Sequence, residues 1–219
     1  MKIIKETIPD FHNIISRLSV FKTVLDQNVA GRALECKDEI KFVYALADQM
    51  SIIEHLRKRG IIKERVTHND TKFNNVLLSA DYQKSCVIDL DTVMPGVVHY
   101  DFGDGVRTSA STAVEDEWDL NLVQLDMDKF EGYASGYLDN TREILDPVEI
   151  EYLALSAPML AYIMGVRFLT DFLSGDPYYK VEHEKHNLQR AKCQLHFAHK
   201  MLERLPDLKR TITNLAANH

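Results

Sequence analysis

The residues best suited to chemistry lie in one stretch, Thr67-His68-Asn69-Asp70-Thr71-Lys72-Phe73-Asn74-Asn75, and in a second close behind it, Cys86-Val87-Ile88-Asp89-Leu90-Asp91. An aspartate with open space in front can take or orient the proton of an attacking hydroxyl. An Asn oxygen beside a carboxylate oxygen suits Mg²⁺, which prefers hard oxygen ligands and keeps waters and substrate phosphates in its shell. An ammonium two positions after the aspartate can neutralise a phosphoryl group in transit. Asp70 as base, Asn75 and Asp89 as metal ligands and Lys72 as the cation would make half of a phosphoryl-transfer site. Asp91 is a further candidate, as a second metal ligand or an acceptor ligand.

These side chains need an element that brings them together. Val76-Leu77-Leu78 and Cys86-Val87-Ile88 are short apolar runs around the polar Ser79-Ala80-Asp81-Tyr82-Gln83-Lys84. That pattern predicts a β-hairpin. A hairpin returns to where it began, so Asn75 and Asp89 are expected side by side, with Asp70 just before them.

The rest of the chain reads as helical. Ile40, Val43, Ala47 and Met50 form a stripe that predicts a helix over 36–59, closed by Gly60 in the left-handed region. Residues 1–35 read as irregular, loop and short helix; His12 there either faces an acceptor pocket or sits in a partly buried turn. Met94-Pro95-Gly96 reads as a turn, and Asp104 with Arg107 as a salt bridge at a helix start. Residues 109–125 include a loop, after which Asp126 caps a helix carrying Phe130, Tyr133, Ala134 and Tyr137. Asp146-Pro147-Val148-Glu149 is a strong helix start; the helix runs to Leu173, with Pro158 as a kink point. A last long helix spans about 182–204, is ended by Pro206, and is followed by a tail helix near 207–217. His183 with His186, and His196 with His199, stand at helical spacing, but no third ligand shares a face with either pair. They read as solvated helix histidines.

Arg167 stands in an apolar stretch and needs a partner if buried. Two readings are open: an i,i+4 pair with Asp171, or a fork for an acceptor sugar or a phosphate oxygen. The whole predicts one mainly α (α+β) body over 1–219, with its catalytic and metal loops at 67–91 and a helical mass at 126–205.

Composition limits the partners. The 219 residues are 45% hydrophobic and carry a net charge of -7. An acidic chain with no basic run is a poor nucleic-acid binder. The most apolar segment, Leu153 to Leu173, is interrupted by Arg167 and Asp171, and reads as a buried helix too short and too charged to span a bilayer. Cys36, Cys86 and Cys193 are odd in number and irregularly spaced, as for reduced thiols of a cytoplasmic protein, and Met-Lys-Ile-Ile-Lys-Glu is not a signal peptide.

His-x-Asp-x-Lys-x-x-Asn followed by a hydrophobic strand ending in Asp resembles the catalytic and metal-binding loops of protein-kinase-like phosphotransferases. The longer HNDTKFNNVLL with CVIDLDTVMPG resembles the aminoglycoside/choline kinase branch, and within it the N-acetylhexosamine 1-kinases. The resemblance extends more weakly through Asp101-Phe102-Gly103-Asp104 and Gly165-Val166-Arg167-Phe168-Leu169-Thr170-Asp171. It implies ATP and Mg²⁺ as cofactors and a sugar hydroxyl as acceptor. It also implies Asp70 as catalytic base, Lys72 as a γ-phosphate contact and Asn75 and Asp89 as metal ligands, and it favours the fork reading of Arg167; Asp171 and His12 are further candidates for contact with the acceptor. His68 would be a structural brace, and Asp101 a carboxylate holding the loop by its amides.

No G-x-G-x-x-G and no strand lysine of the Val-Ala-Ile-Lys kind occurs in the chain. The expectation is therefore a kinase-like C-terminal lobe without the lobe that holds nucleotide, very weakly active or inactive alone. Apolar surface that the second lobe would cover is expected to be open, and to support a homodimer. Two rivals remain: a non-catalytic lobe that binds a sugar or a partner, and a haloacid-dehalogenase-type phosphatase with Asp89 as nucleophile and Asp91 as acid/base. The latter needs a parallel α/β sheet, and no βα alternation follows Asp91.

Overall fold

Asn13 starts the first helix, α1 (Ile14–Gln27), by accepting the Ser16 N–H. The structure, a computed structural model, describes residues 5–217. α1 is a full helix of 14 residues, longer than its sequence suggests, because Ile14 and Phe21 bury its inner face. The stretch expected as one helix over 36–59 is divided into α2 (Lys37–Met50) and α3 (Ile52–Lys58). The break falls at Ser51, whose hydroxyl donates back to the Ala47 carbonyl at 2.7 Å. Serine side chains compete with the helix ladder in this way. Gly60 then takes a φ of 69°, which costs a residue without Cβ nothing.

Two small antiparallel ladders follow. β1 (Arg65–Thr67) leads into the loop with Asp70. β2 (Val76–Leu78) and β3 (Ser85–Val87) form the hairpin, with Val76 opposite Val87. β4 (Met94–Gly96) pairs with β1, so the segment that reads as a turn is a strand. A two-stranded ladder consists only of edges, where Pro95, opposite Val66, is tolerated without an N–H. The described sheets are both antiparallel, which removes the scaffold that a haloacid-dehalogenase-type site requires.

The helical mass is α4 (Val98–Ser109), α5 (Met127–Thr141), α6 (Pro147–Leu173), α7 (His186–Glu203) and α8 (Leu205–Ala217). α6 is the axis and runs unbroken through Pro158. At 27 residues it is long and apolar enough to cross a membrane, contrary to the sequence reading, but 83% of its apolar window is buried within the protein. α4 approaches it closely because Gly103 has no side chain: a Cβ there would lie 2.4 Å from the Ser156 carbonyl oxygen. α7 begins at His186 rather than near 182, and Pro206 falls in the first turn of α8 instead of stopping a helix. A first-turn N–H has no helical partner, so proline loses nothing there.

Candidate active site

The loop that carries Asp70 is clamped from two sides. Arg65, on β1, makes a two-pronged contact with buried Glu149 at the start of α6, Nε to Oε1 at 2.9 Å and a terminal nitrogen to Oε2 at 2.7 Å. Asp101, in the first turn of α4, accepts the backbone N–H of His68 at 2.9 Å and of Asn69 at 2.7 Å. Its own carbonyl accepts the Thr71 hydroxyl at 2.6 Å. Burial raises the Asp101 pKa, against the pull of the two amides that favour its charge.

His68 Nδ1 accepts the Asp70 N–H at 3.3 Å, and its Nε2 lies 3.1 Å from the Ile88 carbonyl. A carbonyl only accepts, so Nε2 carries the proton and the ring is the neutral tautomer. His68 thereby ties the loop to the end of the hairpin. Asn69 has a role that its residue type alone did not signal. It adopts a φ of 64°, its amide donates to the Thr67 and Thr92 carbonyls, and its side-chain oxygen accepts the Thr67 hydroxyl. Asparagine tolerates the left-handed region better than most residues.

Asp70, Lys72, Asn75 and Asp89 come together at the mouth of the hairpin. Asp70 Oδ2 accepts from Lys72 Nζ at 2.8 Å and from Asn75 Nδ2 at 2.9 Å. Lys72 Nζ also lies 4.0 Å from Asp89 Oδ2. Asp70 Oδ1 has no protein donor among the described residues, and Asp70 lines a cavity of about 520 Å³. Because the Asn75 nitrogen faces Asp70, its Oδ1 points away and is available as a ligand. Asp89 sits at a φ of 62°, so the chain turns sharply as it leaves β3.

This donor set fits Mg²⁺. Among the described residues no three His, Cys, Asp or Glu side chains converge to cage an ion. Mg²⁺ in phosphoryl transfer does not need a cage: one or two protein oxygens suffice when substrate phosphates and waters complete the shell. Asp91 is exposed on the following turn, and among the described residues its carboxylate makes no bond to Asp70, Lys72 or Asn75.

The acceptor candidates separate. His12 lines the same cavity; its Nε2 donates to the Asn69 carbonyl at 2.7 Å, which leaves Nδ1 buried and without a partner among the described residues. Burial pushes the His12 pKa down to about 4, so the ring stays neutral. Arg167 also lines the cavity, but it does not pair with Asp171. Its guanidinium lies over the rings of Phe11 and Tyr179, at 5.0 and 5.7 Å from their centroids. Asp171 instead accepts the backbone N–H groups of Tyr178 and Tyr179 and the Asn187 amide, and is occupied in holding that turn. Arg107 is buried in the last turn of α4, not near its start, with Asp104 and Glu115 as partners. The histidines read as solvated on the last helix differ in placement: His183 is exposed but precedes α7, whereas His186 is buried, meets Asp116 at 2.9 Å and stacks on His183, which stacks on Trp118.

A loop with one open carboxylate oxygen, a cation beside it and oxygen ligands at the end of a hairpin defines a phosphotransferase-type centre on a mainly helical body. The sequence profile of the phosphotransferase enzyme family matches residues 3–137, which include every element of that centre. The chain belongs to this family, of the aminoglycoside/choline kinase-like kind. Arg167 and Asp171 lie beyond the matched span.

Proposed function

We propose that this site transfers the γ-phosphoryl group of ATP to a sugar hydroxyl, with N-acetylhexosamines the first acceptors to try on the strength of the motif resemblance. The observation that carries the reading is the division of labour at Asp70: one oxygen is fixed by Lys72 and Asn75, the other is open to the cavity. The open oxygen takes the acceptor O–H proton. The acceptor oxygen then bonds to the γ-phosphorus, the bond to the β–γ bridging oxygen breaks, and ADP leaves. Asn75 Oδ1 and Asp89 would hold Mg²⁺, which supplies charge screening for the phosphates. Lys72, between Asp70 and Asp89, is placed to meet negative charge passing between them.

The body described here corresponds in this reading to the C-terminal lobe of such a kinase, and its turnover alone is expected to be slow. The test is therefore separated from fast catalysis. With the chain at high concentration, Mg-ATP and an N-acetylhexosamine, ³¹P NMR should show slow formation of a sugar phosphate. Mn²⁺ in place of Mg²⁺ should broaden the amide signals of residues 70–75 and 88–91 when nucleotide is present. Neither transfer nor broadening would sink the reading and favour a lobe that only binds.

We also propose self-association through the hairpin face. Leu77 is more than half exposed there and shares its face of the hairpin with its cross-strand partner Cys86, which is also exposed. Light scattering should give twice the 25.1 kDa chain mass at high concentration, and Leu77→Lys should return it to one. A wild-type chain that stays monomeric at every concentration argues against the face.

A further inference from the structure

The cavity in front of Asp70 has a charge opposite to that of the chain. The protein is acidic overall, at -7, yet five cations and three carboxylates line this cavity. The carboxylates are already occupied: Asp70 by Lys72, and Asp104 and Glu115 both by Arg107. Arg167, Lys180 and Arg190 remain, and none of them makes an ion pair among the described residues. Lys180 is exposed, whereas the two arginines are half-buried and held in place by packing. Arg190 lies over the Phe168 ring at 5.5 Å and donates to the Lys180 carbonyl and the Asn187 side chain.

Arg167 is the most telling of the three. Its guanidinium stacks against two aromatic rings, Phe11 and Tyr179, and among the described residues its protein hydrogen-bond partner is the Met164 sulfur at 3.5 Å, a weak neutral acceptor. A planar fork held by stacking, with no oxygen acceptor among the described residues, matches an oxyanion. Arg17 lies close by; burial lowers its pKa and repulsion from Arg167 lowers it further, so the positive potential here is not neutralised locally. On the same wall the Tyr179 hydroxyl is buried without a partner.

We propose that the acceptor is an anionic sugar, one that carries a carboxylate or a phosphate, with its oxyanion on Arg167 and its reacting hydroxyl at Asp70. Arg190 and Lys180 extend the anion site, the Tyr179 hydroxyl is a further donor, and bare His12 Nδ1 accepts from a ring hydroxyl. This rests on the phosphotransferase reading of the cavity. It narrows the acceptor class and disfavours cationic acceptors such as amino sugars with free amines or quaternary ammonium alcohols.

Calorimetric titration without nucleotide tests binding apart from turnover. The probes are a hexuronic acid, a hexose 6-phosphate, inorganic phosphate and neutral N-acetylglucosamine. At least one anionic sugar is expected to bind about 10-fold or more tightly than the neutral one, and more tightly than inorganic phosphate. Preference between the first two says whether the group is a carboxylate or a phosphate. Arg167→Gln should weaken that binding by about 10- to 100-fold, the range of a charge-assisted hydrogen bond. Arg190→Gln, away from the Phe11 stack, should weaken it less and covers the case in which Arg167→Gln does not fold. Equal affinity for neutral and anionic sugars, affinity no better than that of phosphate itself, or no loss in either variant overturns the proposal. Anion binding without any transfer would sink the kinase reading instead, and transfer that ignores acceptor charge would sink only this one.

Discussion

Asp70→Asn is expected to lower phosphoryl transfer by about 100- to 10,000-fold, the usual contribution of a positioned general base. The amide keeps the shape of the carboxylate but cannot take the acceptor proton. The Lys72 contact weakens from an ion pair to an ordinary hydrogen bond. Both side chains are partly exposed, so the change in stability should stay within about 1 kcal/mol. A denaturation curve and a single-turnover assay on the same preparation separate the two effects. Asp101→Asn is the contrasting variant. Its carboxylate serves two backbone N–H groups, and an amide nitrogen in place of one oxygen would face a donor with a donor. That leaves a buried N–H unpaired, at about 1–3 kcal/mol, and frees the loop that aims Asp70. Asp101→Asn should therefore lose activity and stability together, whereas Asp70→Asn loses activity alone. An Asp70→Asn enzyme with wild-type rates would remove Asp70 from the chemistry.

Acid should unfold this protein earlier than its carboxylates alone would cause. His99 is fully buried in α4, its Nε2 donates to the Glu149 carbonyl at 2.9 Å, and its Nδ1 has no partner among the described residues. Burial pushes its pKa down to about 4, as it does for His12. The folded values lie below the ordinary 6.5, so the unfolded chain takes up these protons first. The stability is fully present above pH 6.5 and is lost as pH falls towards about 4. His12 is also faced by Asp104, which favours its charge, and by Arg167 and Arg17, which oppose it. Each histidine contributes a slope that rises from about 0.7 kcal/mol per pH unit at pH 6.5 to about 1.3 near pH 5, so the pair costs about 3 kcal/mol over that interval. Urea unfolding across that range should show the slope, and His99→Gln should about halve it. A flat profile down to pH 5 would show that the two rings are not held neutral by burial.

The sequence on its own determined the site's local parts. Short apolar runs around a polar turn specify a hairpin, and a hairpin necessarily returns Asp89 to Asn75. Capping residues likewise specify where α5 and α6 begin, because Asp126 and Asp146 stand next to the amides they cap. Such features depend on neighbours a few residues apart, and side-chain type is enough to read them. What needed the tertiary structure was every relation across long separations. Met94-Pro95-Gly96 is a strand only because Arg65–Thr67 lies beside it. The division of the 36–59 segment at Ser51 is a local exception, where a hydroxyl bond back to Ala47 overrides a continuous apolar stripe. Arg167 and Asp171 stand four apart on one helix, yet packing sends the first against two aromatic rings and the second to the turn after α6. Spacing along a helix says which side chains can meet; only the surfaces that close around them decide which do.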